Sequence, residues 1–198
     1  METIEAYKGF NINVDTDEYP ADFFDCDRAT LFVAWHRKYT LETPGTEKDF
    51  PNVEAFQSWL KRPENRGSIV MPWIMYEHGC IGFSTTRAQY PFNCPWDSGQ
   101  LGYLVMTPKE MRASFVVKRI TKATREKAER LMLAELHEYE CIVQGDVVCY
   151  LVQDAEGNVI DSCGGFVDFS ASKNYILECA RNAIDHEIEN ARQAAIAC

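Results

Sequence analysis

The sequence predicts an α+β protein, a single domain of mainly antiparallel sheet with about three helices, and three stretches carry that reading. Residues 145–169 (GDVVCYLVQD–AEGN–VIDSCGGFVDF) are two β-forming runs joined across Glu156-Gly157-Asn158, the pattern of a β-hairpin. Residues 121–143 set Ala128, Leu131, Met132, Leu136, Tyr139 and Ile142 on one broad apolar stripe of a long helix capped by Thr121. Residues 172–197 form a final helix running on Tyr175, Ile176, Cys179, Ile184 and Ile188. No repeat, linker or low-complexity tract divides the chain. The expected organisation is therefore 1–198 as one domain, a sheet-rich body over 1–170 and a terminal helix over 171–198.

The remaining elements follow in chain order. AYKGFNINVD (6–15) alternates as a half-buried strand, with Phe10, Ile12 and Val14 on one face. An acidic stretch broken by Pro20 leads to TLFVAWHRKY (30–39), rich in β-formers and read as a second strand. After a loop with Pro44 and Gly45, Val53, Phe56 and Leu60 recur at helical spacing behind Asn52, a good cap. SIVMPWIMYEH (68–78) reads as a strand that Pro72 assigns to an edge or a bulge, and Gly79 turns it into a hairpin partner, CIGFSTT. RAQYPFNCPWDSGQ (87–100) is a packed loop with two prolines, an Asp-Ser-Gly turn and three aromatics. QLGYLVMT (100–107) resumes the sheet, and Thr107 with Pro108 opens a short helix.

Composition narrows the function classes. The 198 residues are 46% hydrophobic and 25% charged, the balance of a folded chain, and no apolar run is long enough to span a bilayer. The opening METIEAYKGF has neither the basic nor the apolar region of a secretory leader, so the expected location is the cytoplasm. A net charge of −10 argues against a general nucleic-acid or anionic-membrane binder, which needs clustered Lys and Arg. The charge is unevenly spread. Asp15, Asp17, Glu18, Asp22, Asp25 and Asp27 follow one another with no intervening base, whereas Lys118, Arg119, Lys122, Arg125, Lys127 and Arg130 face only two acids.

The eight cysteines show no Cys-x-x-Cys spacing and sit mostly in apolar patterns, so with Cys94 and Cys163 set apart they read as small reduced hydrophobes, with no metal and no cofactor expected. The densest polar-aromatic stretch runs from Tyr76-Glu77-His78 to Cys94-Pro95-Trp96-Asp97-Ser98-Gly99-Gln100. Cys94 or Ser98 has the chemistry of a nucleophile, His78 that of a base and Asp97 that of its orienter. The same Asp-Ser pair is equally what a tight turn uses, and Tyr76, Glu77, His78, Trp96, Asp97 and Gln100 then form a binding surface. Asp161-Ser162-Cys163-Gly164-Gly165 marks a bulge or a close backbone approach.

YEHGCIGFSTT and FNCPWDSGQLGY resemble a family of uncharacterised proteins carried by bacterial viruses and conjugative elements. YKGFNINV, Trp35-His36-Arg37-Lys38-Tyr39, KRITKATREKAE and the GDVVCYLV…DSCGGF hairpin extend the resemblance over about residues 6–167. Gly79-Cys80 departs from the family's usual Ser-Gly. The resemblance implies a mobile-element accessory protein inside a bacterium, in a host-takeover or counter-defence role. Three functional readings follow: an inhibitor of a host defence protein, its acidic stretch with Tyr19, Phe23 and Phe24 imitating a nucleic-acid backbone; a small hydrolase or transferase using Cys94; or a sponge for a small nucleotide, with Tyr76, Phe92 and Trp96 on the base and Lys118 or Arg119 on phosphate.

Overall fold

A computed structural model describes residues 2–36 and 49–197, with no side-chain detail at 195 and 197. Arg37, Lys38 and Tyr39 of the second predicted strand, and the loop with Pro44 and Gly45, lie outside the described residues. The chain is α+β, and its described residues form two antiparallel four-stranded sheets and four helices. It divides into two compact units, one made of residues 1–21 and 141–198, the other of residues 22–140.

The first unit holds β1 (Glu2–Tyr7), β2 (Phe10–Thr16), β7 (Val147–Gln153), β8 (Val159–Val167) and α4 (Phe169–Ala197), with strand order β1-β2-β7-β8. The predicted 6–15 strand is in fact a hairpin, because Lys8 and Gly9 both take positive φ (49° and 89°) and turn the chain between β1 and β2. One sheet face carries Ile12, Val14, Tyr150 and Val152 against Ile176, Leu177, Ala180 and Ile184 of α4. Lys8–Asp185 and Arg181–Glu5 ion pairs flank that contact.

The second unit holds β3 (Leu31–Ala34), α1 (Val53–Leu60), β4 (Ile69–Glu77), β5 (Ile81–Ser84), β6 (Ser98–Met106), α2 (Pro108–Phe115) and most of α3 (Lys122–Gln144). Its strand order is β3-β6-β4-β5. Both faces are covered, which explains why LFVA is a continuous apolar run rather than an alternating one. Val33 and Val105 meet Phe50 and Phe56 on one face, while Phe32, Trp73 and Phe83 surround Tyr139 of α3 on the other. The predicted caps are present. Asn52, Thr107 and Thr121 each accept from a first-turn amide, at Ala55, Glu110 and Thr124.

Pro72 needs a correction in one respect. Its strand β4 is internal, but β5 pairs only with Ile74–Glu77, so Pro72 sits on a length of β4 bordered by β6 alone, and a bulge follows at Trp73/Ile74. Of the cysteines read as small hydrophobes, Cys141 is buried and Cys149 and Cys179 are partly buried, but Cys26 and Cys80 are exposed; of the two set apart, Cys94 is partly buried and Cys163 exposed.

Candidate functional site

The loop from Arg87 to Asp97 is fastened to the end of the second sheet by its own backbone. Asn93 N–H donates to the Gln89 carbonyl (3.2 Å), Cys94 N–H to Pro91 (2.9 Å), Ser98 N–H to Cys94 (3.1 Å) and Glu77 N–H to Asp97 (2.8 Å). The Ser98 hydroxyl donates to the Pro91 carbonyl at 2.7 Å. Ser98 is therefore committed to holding the turn, and its hydroxyl is not presented as a nucleophile.

The Cys94, His78 and Asp97 side chains do come together, in an order that does not make a catalytic triad. Asp97 is central: its Oδ1 lies 3.2 Å from His78 Nδ1 and its Oδ2 accepts from the Cys94 thiol at 3.3 Å. In a Cys–His couple the imidazole faces the sulfur and the carboxylate stands behind it. Here the carboxylate occupies the position between them, and the three groups act as a clamp on the loop.

What the clamp leaves exposed is aromatic. Trp96 is 90% exposed and Tyr90 77%. Tyr76 is half-buried, and its phenol is pushed above the ordinary value by burial and by a hydrogen bond with Tyr90. Phe92 packs edge-on against Tyr76 with ring centres 6.4 Å apart, under the space Gly82 leaves by having no side chain.

Beside Trp96 an open cleft of about 520 Å³ runs along the sheet end, lined by Trp35, His36, Met75, Glu77, Pro95–Leu101. β3 delivers Trp35 and His36, with Trp35 N–H bonded to the Leu101 carbonyl at 3.0 Å. β4 delivers Glu77, and the Trp73/Ile74 bulge sets the Gln100 register opposite Ile74. Gly99 borders the cleft with open space where a side chain would stand. Thus Glu77, Trp96, Asp97, Ser98 and Gln100 line one cleft, together with Trp35 and His36 from a distant part of the sequence. No pattern within either segment signals that meeting, which is made by β3 pairing with β6.

Of the residues read as a nucleotide site, Trp96 lines this cleft, whereas Tyr76, Phe92, Lys118 and Arg119 are not among its lining residues.

The acidic stretch divides between the units, with Asp15, Asp17 and Glu18 in the first and Asp22, Asp25 and Asp27 in the second. Asp15, Asp17 and Asp22 accept backbone amides: Asp15 from Thr16 N–H (3.0 Å), Asp17 from Gly165 N–H (2.8 Å) and Tyr19 N–H (3.1 Å), and Asp22 caps a 3-10 turn by accepting from Phe24 N–H (2.9 Å). Phe23 is buried and the partly buried Phe24 packs against Phe32 and Tyr139, so of the three aromatics Tyr19, 88% exposed, is the one that stands out in solvent.

Cys163 lies on β8 in the first unit and Cys94 in the second. Among the described residues no three His, Cys, Asp or Glu side chains gather as a metal site would require. No helix among them is long and apolar enough to cross a membrane. No protein-family model, curated protein or solved structure matches the chain.

Proposed function

We propose that the chain is a mobile-element accessory protein that binds a host defence protein and blocks it, with the cleft beside Trp96 as its contact surface. The observation that carries this reading is convergence: the Trp35-His36 and Tyr76–Gln100 segments, both part of the sequence resemblance, line one cleft with an almost fully exposed tryptophan at its edge. An exposed Trp on a loop held by many hydrogen bonds is preorganised, so little ordering entropy opposes its use as an anchor. The net charge supports a basic partner surface, such as that of a nuclease or another nucleic-acid-handling protein.

The test is affinity capture from bacterial lysate with three baits: the unaltered chain, Trp96→Ala, and Gly99→Leu, which fills the cleft without meeting a neighbour at its Cβ. The expected outcome is one host protein retained in stoichiometric amount by the unaltered chain and released by high salt. Both variants should remain folded by circular dichroism and bind it about thirtyfold or more weakly, the loss typical of a removed aromatic anchor (about 2 kcal/mol or more). Equal retention by folded variants would exclude the cleft.

A further inference from the structure

A second pocket, sharing no lining residue with the Trp96 cleft, opens between the end of the acidic stretch as it enters β3, α1 and the start of α2. It measures about 440 Å³ and is lined by Phe24, Cys26–Leu31, Trp59, Thr107 and Glu110. That size is within the range of small-ligand sites. Thr30 is one of its lining residues, and the chemistry there is incomplete. The residue is only 2% exposed, and its hydroxyl has no hydrogen-bond partner. A buried hydroxyl left unpaired costs stability, so such a group points to something that completes it.

The surrounding charges decide what that is. Arg28 has its charge paired: its guanidinium makes two 2.8 Å bonds to the Glu138 carboxylate, donates from Nε to the Phe23 carbonyl and lies 4.0 Å over the Phe23 ring. Glu135 is used as well, accepting from Ala29 N–H and Thr30 N–H. The start of α2 offers little to an anion, because Pro108 has no N–H and the Glu110 N–H is already capped by Thr107. The uncommitted charges at the pocket are the Asp27 and Glu110 carboxylates, and its walls include the Trp59 and Phe24 rings. Aromatic faces, two carboxylates and a hydroxyl able to accept make a receptor for a positively charged organic group.

We propose that this pocket binds an organic cation, a guanidinium or ammonium group, which donates to the Thr30 hydroxyl, is balanced by Asp27 and Glu110, and rests on Trp59. The group belongs either to an arginine or lysine side chain of a partner or to a free small amine.

The test uses the full chain, labelled with ¹⁵N and titrated separately with Nα-acetyl-arginine amide, Nα-acetyl-lysine amide, the neutral Nα-acetyl-citrulline amide and inorganic phosphate. The expected result is a saturable shift of the Ala29 and Thr30 amides and the Trp59 indole N–H with at least one cationic amide. Citrulline should bind about tenfold or more weakly, the loss expected for charge-assisted bonds. Asp27→Asn with Glu110→Gln should weaken the cation similarly and leave the spectrum otherwise native. A short arginine-rich peptide that binds about a hundredfold tighter than the single amide, with added shifts outside the pocket, assigns a partner side chain. Equal affinity for peptide and amide assigns a small amine. Saturation by citrulline at the same concentration, shifts driven by phosphate instead, or no saturable shift with either cation would overturn the proposal.

Discussion

Single residues show where the molecule trades stability for something else. Thr30 buries a hydroxyl that bonds to nothing, and replacing it by valine keeps the shape and removes the orphan. Thr30→Val is expected to raise unfolding free energy by about 1–2 kcal/mol, measured by denaturant titration, while weakening the cation. Loss of stability would mean that the hydroxyl is satisfied in solution. Gly164 is the opposite case. A Cβ there would lie 2.3 Å from the Asp17 carboxylate that holds Gly165 N–H, so Gly164→Ala should cost roughly 1–3 kcal/mol by displacing that contact. Tyr150 adds a pH dependence. Burial, and then its hydrogen bond to Asp161 (2.8 Å), push the phenol well above the ordinary value near 10. Folding therefore favours the protonated phenol, and that stability is fully present below pH ~10 and lost as pH rises toward the folded value. Tyr150→Phe should flatten the decline in stability above pH ~10, and an unchanged slope would remove Tyr150 as its source.

At the level of elements, the cleft depends on the close pairing of β3 and β6, which brings Trp35 and His36 to it. Gly102 makes it possible: a Cβ would fall 1.8 Å from the Val33 carbonyl oxygen and 2.8 Å from the Ala34 Cα. Neither atom belongs to a flexible side chain. Gly102→Ala should cost about 3 kcal/mol or more, seen as a large fall in the denaturant midpoint, and near-native stability would contradict the pairing. The sequence was most legible where local rules decide. Asn52, Thr107 and Thr121 cap helices because their side chains answer amides three residues on, and the 145–169 hairpin follows from its turn. It was less legible where pairing is long-range. Nothing in TLFVAW says that it joins β6, and Pro72 signalled an edge that β5 creates only by being short. The Lys8-Gly9 turn was hidden because Lys8 is an ordinary residue in a left-handed conformation. At the candidate site the residue types were legible and their roles were not, since the order Cys94–Asp97–His78 is a matter of three dimensions.

Across the whole molecule the charge is segregated. The first unit carries 4 basic and 14 acidic residues and the second 16 of each, so the net −10 belongs entirely to the first. The acidic run that dominates the linear sequence is a poor guide to this, because it crosses the boundary at Ala21/Asp22 and two of its carboxylates are occupied in turns. On the proposed reading, the long-range field of the first unit sets how fast a basic partner is captured, whereas Trp96 and its cleft set how tightly it is kept. Neutralising exposed acids such as Glu187 and Glu189 should therefore slow association and reduce its salt dependence with little change in dissociation. The measurement that addresses the central claim most directly is hydrogen exchange on the chain with and without its captured host protein. Added protection is expected at Glu77 and across residues 96–101, whereas protection absent there and confined to other segments would contradict the cleft as the contact surface.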